Sequence, residues 1–81
     1  MSAEYLIYGK NSCPYCNMAV DLLDEVGKEY DFVDLQQRAS TLSEVKSFYE
    51  HQTVPIIVKR DPNDRWFFIG GYTELEALLK D

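Results

Sequence analysis

Cysteine, histidine and long apolar runs are scarce in this sequence, and each shortage excludes a class of protein. The chain has two cysteines, Cys13 and Cys16, and one histidine, His51. A disulfide between cysteines this close would constrain the unfolded chain very little, so a structural staple is disfavoured. Two thiolates fill only half of a four-coordinate shell, so no metal site is predicted. We interpret the lone His51 as a solvated loop residue.

Positive charge is the next shortage. Eight lysines and arginines stand against 14 aspartates and glutamates, a formal net charge of −6, with no block of like charges. This balance argues against nucleic acid or an anionic membrane as a partner. The sequence shows neither a signal-peptide pattern nor a stretch long enough to span a bilayer. We therefore expect a cytoplasmic monomer in which residues 1–81 form one small domain.

The hydrophobic pattern of the first half is that of a strand, a helix and a strand. Residues 5–8 form an apolar run that predicts a buried strand. Apolar residues then recur at helical spacing from residue 14 until Gly27 offers a stop, and residues 30–35 predict a partly exposed strand. The apolar stripe of this helix consists of Met18, Ala19, Leu22, Leu23 and Val26. Three such elements in this length imply a parallel crossover.

Two capping-box spacings predict where two further helices begin. Thr41 with Glu44 has this spacing, and so has Thr73 with Glu76. The stripe of the first of these helices consists of Leu42, Val45, Phe48 and Tyr49. Leu75, Leu78 and Leu79 mark the second as a short helix.

Between these helices the sequence predicts an antiparallel hairpin. Residues 54–58 and 65–69 are strand-like, and residues 61–64 between them have turn chemistry. Trp66 and Phe68 are expected to pack in or over the sheet.

The two cysteines lie where the first strand gives way to the first helix. A thiol in the first turn of a helix lies beside unpaired N–H groups and the positive end of the helix dipole, which favour the thiolate. Cys13 is therefore the predicted nucleophile. Pro14 suits the first helical position, and Cys16, one turn on, can close a short disulfide with Cys13. In a reducing compartment such a pair is more typical of catalysis than of structure.

Four segments, taken together, resemble a known family. They are Lys10, Cys13-Pro14-Tyr15-Cys16, Thr53-Val54-Pro55 and Gly70-Gly71-Tyr72-Thr73. In this order they are similar to the dithiol glutaredoxins of the thioredoxin-fold superfamily. The resemblance implies an α/β fold of thioredoxin-like type, with a four-stranded mixed sheet and three flanking helices in the order β-α-β-α-β-β-α.

The resemblance also implies a glutathione-binding groove beside the cysteines. Its residues would be Lys10, Tyr15, Thr53, Val54, Pro55, Gly71, Tyr72 and Thr73. Pro55 would follow a cis peptide bond, and Val54 would pair in strand fashion with the cysteinyl backbone of glutathione. The γ-glutamyl carboxylate would dock at Tyr72 and Thr73, at the start of a helix.

Charged contacts with glutathione are less well defined by the sequence. Lys10 would favour the Cys13 thiolate and attract the glycine carboxylate. The candidates for a second contact with that carboxylate are Gln37, Arg38 and Lys46. Glu74 would need a long reach to contact the amino group.

The activity that the resemblance implies is thiol–disulfide exchange, with glutathione as co-substrate and no bound cofactor or metal. Cys13 would attack glutathione mixed disulfides, and Cys16 would act as the resolving thiol for protein disulfides. Partners would be glutathionylated or disulfide-containing proteins, with ribonucleotide reductase as a family-typical candidate. The alternatives are a thioredoxin-reductase-coupled electron donor of the glutaredoxin-like type and an iron–sulfur cluster-binding glutaredoxin. Pro14 argues against the second, because cluster-binding relatives usually resemble a one-cysteine site or lack the proline.

Overall fold

The elements follow one another in the predicted order. The computed structural model describes residues 3–80, so both ends of the predicted 1–81 domain lie outside the described residues. The elements are β1 (Tyr5–Gly9), α1 (Pro14–Glu25), β2 (Tyr30–Asp34), α2 (Ala39–Tyr49), β3 (Ile56–Arg60), β4 (Trp66–Gly70) and α3 (Tyr72–Leu79). None of the helices within residues 3–80 is long and apolar enough to cross a membrane.

The four strands form one mixed sheet in the order β2-β1-β3-β4. β1 is parallel to β2 and antiparallel to β3, and β3 is antiparallel to β4. The parallel crossover and the hairpin are thereby confirmed. The register places Gly9 opposite Asp34 and Tyr8 opposite Ile56. The C-terminal end of β1 and the N-terminal end of β3 therefore lie side by side at the same end of the sheet. The loops that carry Cys13 and Val54 also lie at this end.

One face of the sheet carries the main core, under α1 and α3. The buried cluster consists of Tyr5, Ile7, Ala19, Leu22, Leu23, Ile57 and Leu75. Fully burying such a side chain stabilises the fold by about 1.5–3 kcal/mol. Met18 and Val26, predicted for the same stripe, are instead 42% and 39% exposed. Met18 lies about 100° around the helix from Ala19, and Val26 follows the last helical residue as the C-cap.

The opposite face of the sheet is only partly covered by α2. Tyr49 contacts the ring of Tyr8, with 6.4 Å between centroids, and stacks on Phe68 at 5.4 Å. Trp66 and Phe68 lie on this sheet and remain 45% and 40% exposed. Phe48, predicted to be buried, is 78% exposed and meets Tyr49 edge-on. The aromatic side chains at this end of α2 therefore form a partly open layer rather than a closed core.

The predicted start of the second helix is wrong. α2 begins at Ala39, two residues before Thr41, and Arg38 is its N-cap without a side-chain hydrogen bond. Thr41 is therefore already inside the first turn. Leu42 on this helix is buried, as its place in the predicted stripe requires.

The predicted start of the last helix is also wrong. α3 begins at Tyr72, with Gly71 as N-cap and Glu74 as the third helical residue. The Glu74 carboxylate accepts a hydrogen bond from the Gly71 N–H at 2.6 Å, so Glu74 supplies the cap that was assigned to Glu76. Gly70 has a φ of +131°, and a Cβ there would lie 2.7 Å from Glu74 Cγ. A glycine at position 70 is what allows Glu74 to fold back on the chain.

Candidate active site

Cys13 and Cys16 lie at the start of α1 in very different surroundings. Cys13 is the N-cap residue, its backbone is extended, and its N–H donates to the Lys10 carbonyl at 3.0 Å. Pro14 follows as the first helical residue, where its missing N–H costs nothing. Both cysteines are free thiols; Cys13 is partly exposed, whereas Cys16 is fully buried. A disulfide substrate can therefore reach Cys13 directly.

Burial changes the acid–base behaviour of Cys16. Burial, together with a hydrogen bond to the Cys13 side chain, raises the pKa of the Cys16 thiol to about 12, against the lowering effect of a hydrogen bond with the Lys10 backbone. A thiol with such a pKa stays protonated at neutral pH and is a poor nucleophile in the reduced protein. The two thiols therefore differ in access, because Cys13 is partly exposed and Cys16 is buried.

The raised pKa of Cys16 predicts a loss of stability in alkali. The folded state keeps the thiol protonated, whereas the unfolded chain releases the proton above pH 9, so the free energy of unfolding falls as pH rises from about 9 to about 12. Urea unfolding of the reduced protein should show this fall, relative to Cys16→Ala, at up to about 1.4 kcal/mol per pH unit. Both proteins contain the same tyrosines, so the difference between their pH profiles reports on the cysteine that was replaced. Parallel pH profiles for the two proteins would contradict the assignment.

A groove lies beside Cys13, between the loop before β3 and the start of α3. The Val54–Pro55 peptide bond is cis, and the Val54 carbonyl lies 3.9 Å from Cys13 Sγ, within reach of a weak S–H donor. The groove has a volume of about 350 Å³. It is lined by Tyr15, His51, Thr53, Val54, Pro55, Gly71, Tyr72, Thr73 and Glu74. The fold thus brings together all the residues named for a glutathione site except Lys10.

Tyr15 and Tyr72 form one wall of this groove. Their ring centroids are 6.1 Å apart with the planes tilted by 40°, and Tyr15 is 58% exposed. The Tyr72 hydroxyl donates to Glu76 at 3.1 Å, which fixes that ring at the start of α3. The exposed Tyr15 ring offers an apolar surface beside the nucleophile.

Lys10 lies in a second depression, of about 380 Å³. This depression is lined by Lys10, Leu35, Gln36, Ala39, Leu42, Ser43, Lys46 and Gln52. Lys46 therefore shares a site with Lys10, whereas Gln37 and Arg38 do not line it. Gln36 also accepts a hydrogen bond from the Ser12 N–H at 3.1 Å, which ties down the loop that precedes Cys13. Sequence reasoning did not identify Gln36 or Gln52, since neither belongs to a recognisable motif.

His51 is not the solvated loop residue that the sequence suggested. Its ring meets the Phe68 ring edge-on at 5.4 Å, and its Nε2 lies 3.2 Å from the Thr53 hydroxyl oxygen. The backbone N–H of His51 donates to the Lys46 carbonyl at the end of α2, at 3.0 Å. His51 is partly buried and lines the groove, a position that only the pairing of β4 with β3 could reveal.

Other parts of the described structure offer less chemistry. A depression of about 670 Å³ lies away from the thiols, and its lining includes Leu6, Arg60 and Trp66 but no cysteine or histidine. Among residues 3–80, no group of three or more histidine, cysteine, aspartate or glutamate side chains is arranged to hold a metal ion. The groove beside Cys13 is therefore where a nucleophile and a binding surface coincide.

Known proteins resemble this chain in sequence and in fold. The glutaredoxin family model matches residues 6–61. Glutaredoxin 1 of Escherichia coli K12 is 31% identical over 85 residues, covering 96% of this chain and 94% of that protein. A dithiolic glutaredoxin from Trypanosoma brucei brucei superposes with a TM-score of 0.76 at 31% identity, covering 96% of this chain and 78% of that one. A buckwheat glutaredoxin solved with glutathione shares the fold, with a TM-score of 0.79 at 21% identity, covering 98% of this chain and 70% of that one.

The fold, the two thiols and the similarity to known proteins together define the class of protein. The protein is a thiol–disulfide oxidoreductase with a thioredoxin-like fold. Within that class, the chain belongs to the glutaredoxin family.

Proposed function

We propose that the protein is a glutathione-dependent oxidoreductase that reduces glutathione mixed disulfides and protein disulfides through Cys13 and Cys16. The observation that carries this proposal is the position of the Val54 carbonyl, 3.9 Å from Cys13 Sγ, in a groove that ends at the start of α3. A backbone polar group beside the nucleophile suits an extended peptide substrate, because main-chain hydrogen bonds supply affinity in strand-like pairing. Glutathione is a substrate of this shape.

The two ends of glutathione carry carboxylates, and each end has a suitable site. The γ-glutamyl carboxylate docks at the start of α3, where the N–H groups of Tyr72 and Thr73 lie at the positive end of the helix dipole. The glycine carboxylate docks in the second depression, where Lys10 and Lys46 both line the surface. Of the three candidates for the partner of Lys10, we therefore propose Lys46.

The remaining residues of the site have defined roles in this scheme. Val54, presented by Thr53 and Pro55, pairs with the cysteinyl residue of glutathione. Tyr15 covers the side of that residue that carries the sulfur, and Gly71 leaves room for the backbone to approach. The Glu74 carboxylate is occupied by the Gly71 N–H, which argues against the contact with the substrate's amino group.

The reaction proceeds by two exchanges of sulfur bonds. The Cys13 thiolate, favoured by the start of α1 and by Lys10, attacks the glutathione sulfur of a mixed disulfide. A Cys13–glutathione bond forms and the substrate thiolate leaves. A second glutathione thiolate then attacks the bound glutathione sulfur, which releases glutathione disulfide and restores the Cys13 thiolate.

Protein disulfides take the other route. Cys13 forms a mixed disulfide with the substrate protein, and Cys16 loses its proton and attacks Cys13 Sγ, which expels the substrate's second thiol. Two glutathione molecules then reduce the Cys13–Cys16 bond. Glutathionylated or disulfide-containing proteins are the partners in this scheme, and ribonucleotide reductase is one candidate.

The choice between glutathione and a reductase as electron donor is open to direct test. The oxidised protein, with its Cys13–Cys16 disulfide, is mixed with glutathione or with thioredoxin reductase and NADPH, and free thiols are counted by alkylation and mass spectrometry. We expect glutathione to reduce the Cys13–Cys16 disulfide, and we expect thioredoxin reductase to reduce it much more slowly. Efficient reduction by the reductase with no reaction with glutathione would favour the rival electron-donor function.

A further inference from the structure

His51 joins the two walls of the groove. Its Nε2 is 3.2 Å from the Thr53 hydroxyl oxygen on one wall and 3.5 Å from the position that a Cβ would take on Gly71 in the other wall. Packing against Phe68 and the backbone bond to α2 hold the ring in this place. The imidazole therefore lies next to the N-terminus of α3, where the proposed function puts a carboxylate.

The charge at this end of the groove is carried by Glu74. It is the only carboxylate among the nine lining residues, which include no lysine or arginine, and its Oε1 lies 3.4 Å from the same Cβ position on Gly71. An anion that reaches the start of α3 therefore meets a negative carboxylate unless another group compensates. A protonated His51 would compensate, because its Nε2–H could donate to the anion and its charge would offset that of Glu74.

We propose that His51 is a specificity-determining residue, which recognises the γ-glutamyl carboxylate of the substrate and makes its affinity depend on pH. This inference rests on the proposed function, and it adds a residue and a regulatory property to the site. An imidazole ordinarily titrates near pH 6.5, so affinity should increase as pH falls from about 8 to about 6.

Several other ionisable groups lie around His51. They are Glu74 and Tyr72 at the start of α3, Tyr15 on α1, Glu50 and Lys46 at the end of α2, and the Cys13 thiol across the groove. β4 contributes only the apolar ring of Phe68 to this contact. Carboxyl, phenol and ammonium groups ordinarily titrate far from pH 6–8. Replacing Cys13 by serine removes the thiol from the comparison.

The test measures binding of S-methylglutathione by calorimetry at about pH 6 and about pH 8. The parent protein is Cys13→Ser, and neither it nor the ligand carries a thiol at the reacting position. We expect a Kd about threefold to fivefold lower at the acidic pH, the size of a partly exposed ion pair. Adding His51→Gln should abolish this ratio.

Two further arms separate recognition from packing. His51→Phe keeps a ring against Phe68 but has no nitrogen, so it should behave as His51→Gln does. An S-methylglutathione whose γ-glutamyl carboxylate is converted to the amide should bind the parent with no pH dependence.

Each outcome supports or overturns a definite statement. A pH ratio that persists in both His51 variants, or with the amide ligand, would overturn the role of His51 and leave the glutathione site standing. Equal affinity of the parent at both pH values would do the same. If the ligand binds at neither pH, the proposed glutathione site is overturned and, with it, this inference.

Discussion

We expect Cys13→Ser to abolish every disulfide-reducing activity of the protein, and Cys16→Ser to keep the turnover of small glutathione mixed disulfides while losing the reduction of protein disulfides. The reason is the asymmetry of the pair: Cys13 is partly exposed, and Cys16 is buried with a pKa of about 12. Loss of the nucleophile should cost at least about a thousandfold in rate. The rate of Cys16→Ser on the small substrate should stay within about threefold, since glutathione alone completes that route.

Both variants are measured in one glutathione-coupled assay, with a small mixed disulfide and with an oxidised protein as substrates. Ser12→Ala is the matched control, because Ser12 is the exposed neighbour of Cys13 and its backbone N–H, which bonds Gln36, is kept. Equal loss in Cys13→Ser and Cys16→Ser on the small substrate would refute the assigned roles.

Gly9→Ala destabilises the protein through Cys16. A Cβ on Gly9 would lie 2.5 Å from Cys16 Sγ and 3.4 Å from the ring of Phe32, and Gly9 is itself buried at the end of β1. Because the Cys16 side chain is fully buried, we expect a loss of about 1–3 kcal/mol in the free energy of unfolding, typical of overpacking. Urea unfolding of the reduced protein measures this loss.

The double variant Gly9→Ala/Cys16→Ala identifies the cause. Removing the sulfur makes room for the new methyl group, so the two substitutions should be non-additive, with a coupling of at least about 1 kcal/mol in favour of the double variant. Additive losses would mean that the clash with Cys16 does not explain the effect of Gly9→Ala. The glycine before the active-site loop would then need another explanation.

The elements with strong local signals were predictable from the sequence. The apolar run of β1 and the helical stripe that follows Pro14 each identify their element without reference to the rest of the chain. The hairpin followed from strand-like runs on both sides of turn residues. In each case the local preference and the tertiary packing agree, and that agreement made these predictions correct.

The starts of α2 and α3 were mispredicted because a capping-box spacing can occur inside a helix as well as at its start. Thr41 with Glu44 has the spacing, but the helix had already begun at Ala39. At α3 the N-cap is Gly71, which has no side chain to produce a sequence signal, and Glu74 supplies the cap. Both errors arose where the backbone, rather than a side-chain pattern, determines the start.

In the candidate site, too, some residues were predictable from the sequence and others were not. Cys13 and Cys16 were identifiable from their position at a strand–helix boundary, and the groove residues from family resemblance. His51 was not, because its role depends on Phe68, a residue of a different strand that only the sheet pairing brings near. Lys46 could not be separated from Arg38 for a related reason, since the direction of each side chain depends on where α2 begins.

The proposed preference of Cys13 for glutathione mixed disulfides is tested most directly by comparing two substrates. The same peptide is prepared as a mixed disulfide with glutathione and as a mixed disulfide with free cysteine, and kcat/KM for its release is measured with Cys16→Ser. The proposed docking of both carboxylates predicts a preference for the glutathione form of at least about tenfold, equivalent to about 1.4 kcal/mol. Equal values for the two substrates would contradict the glutathione site, although Cys13 would remain the nucleophile.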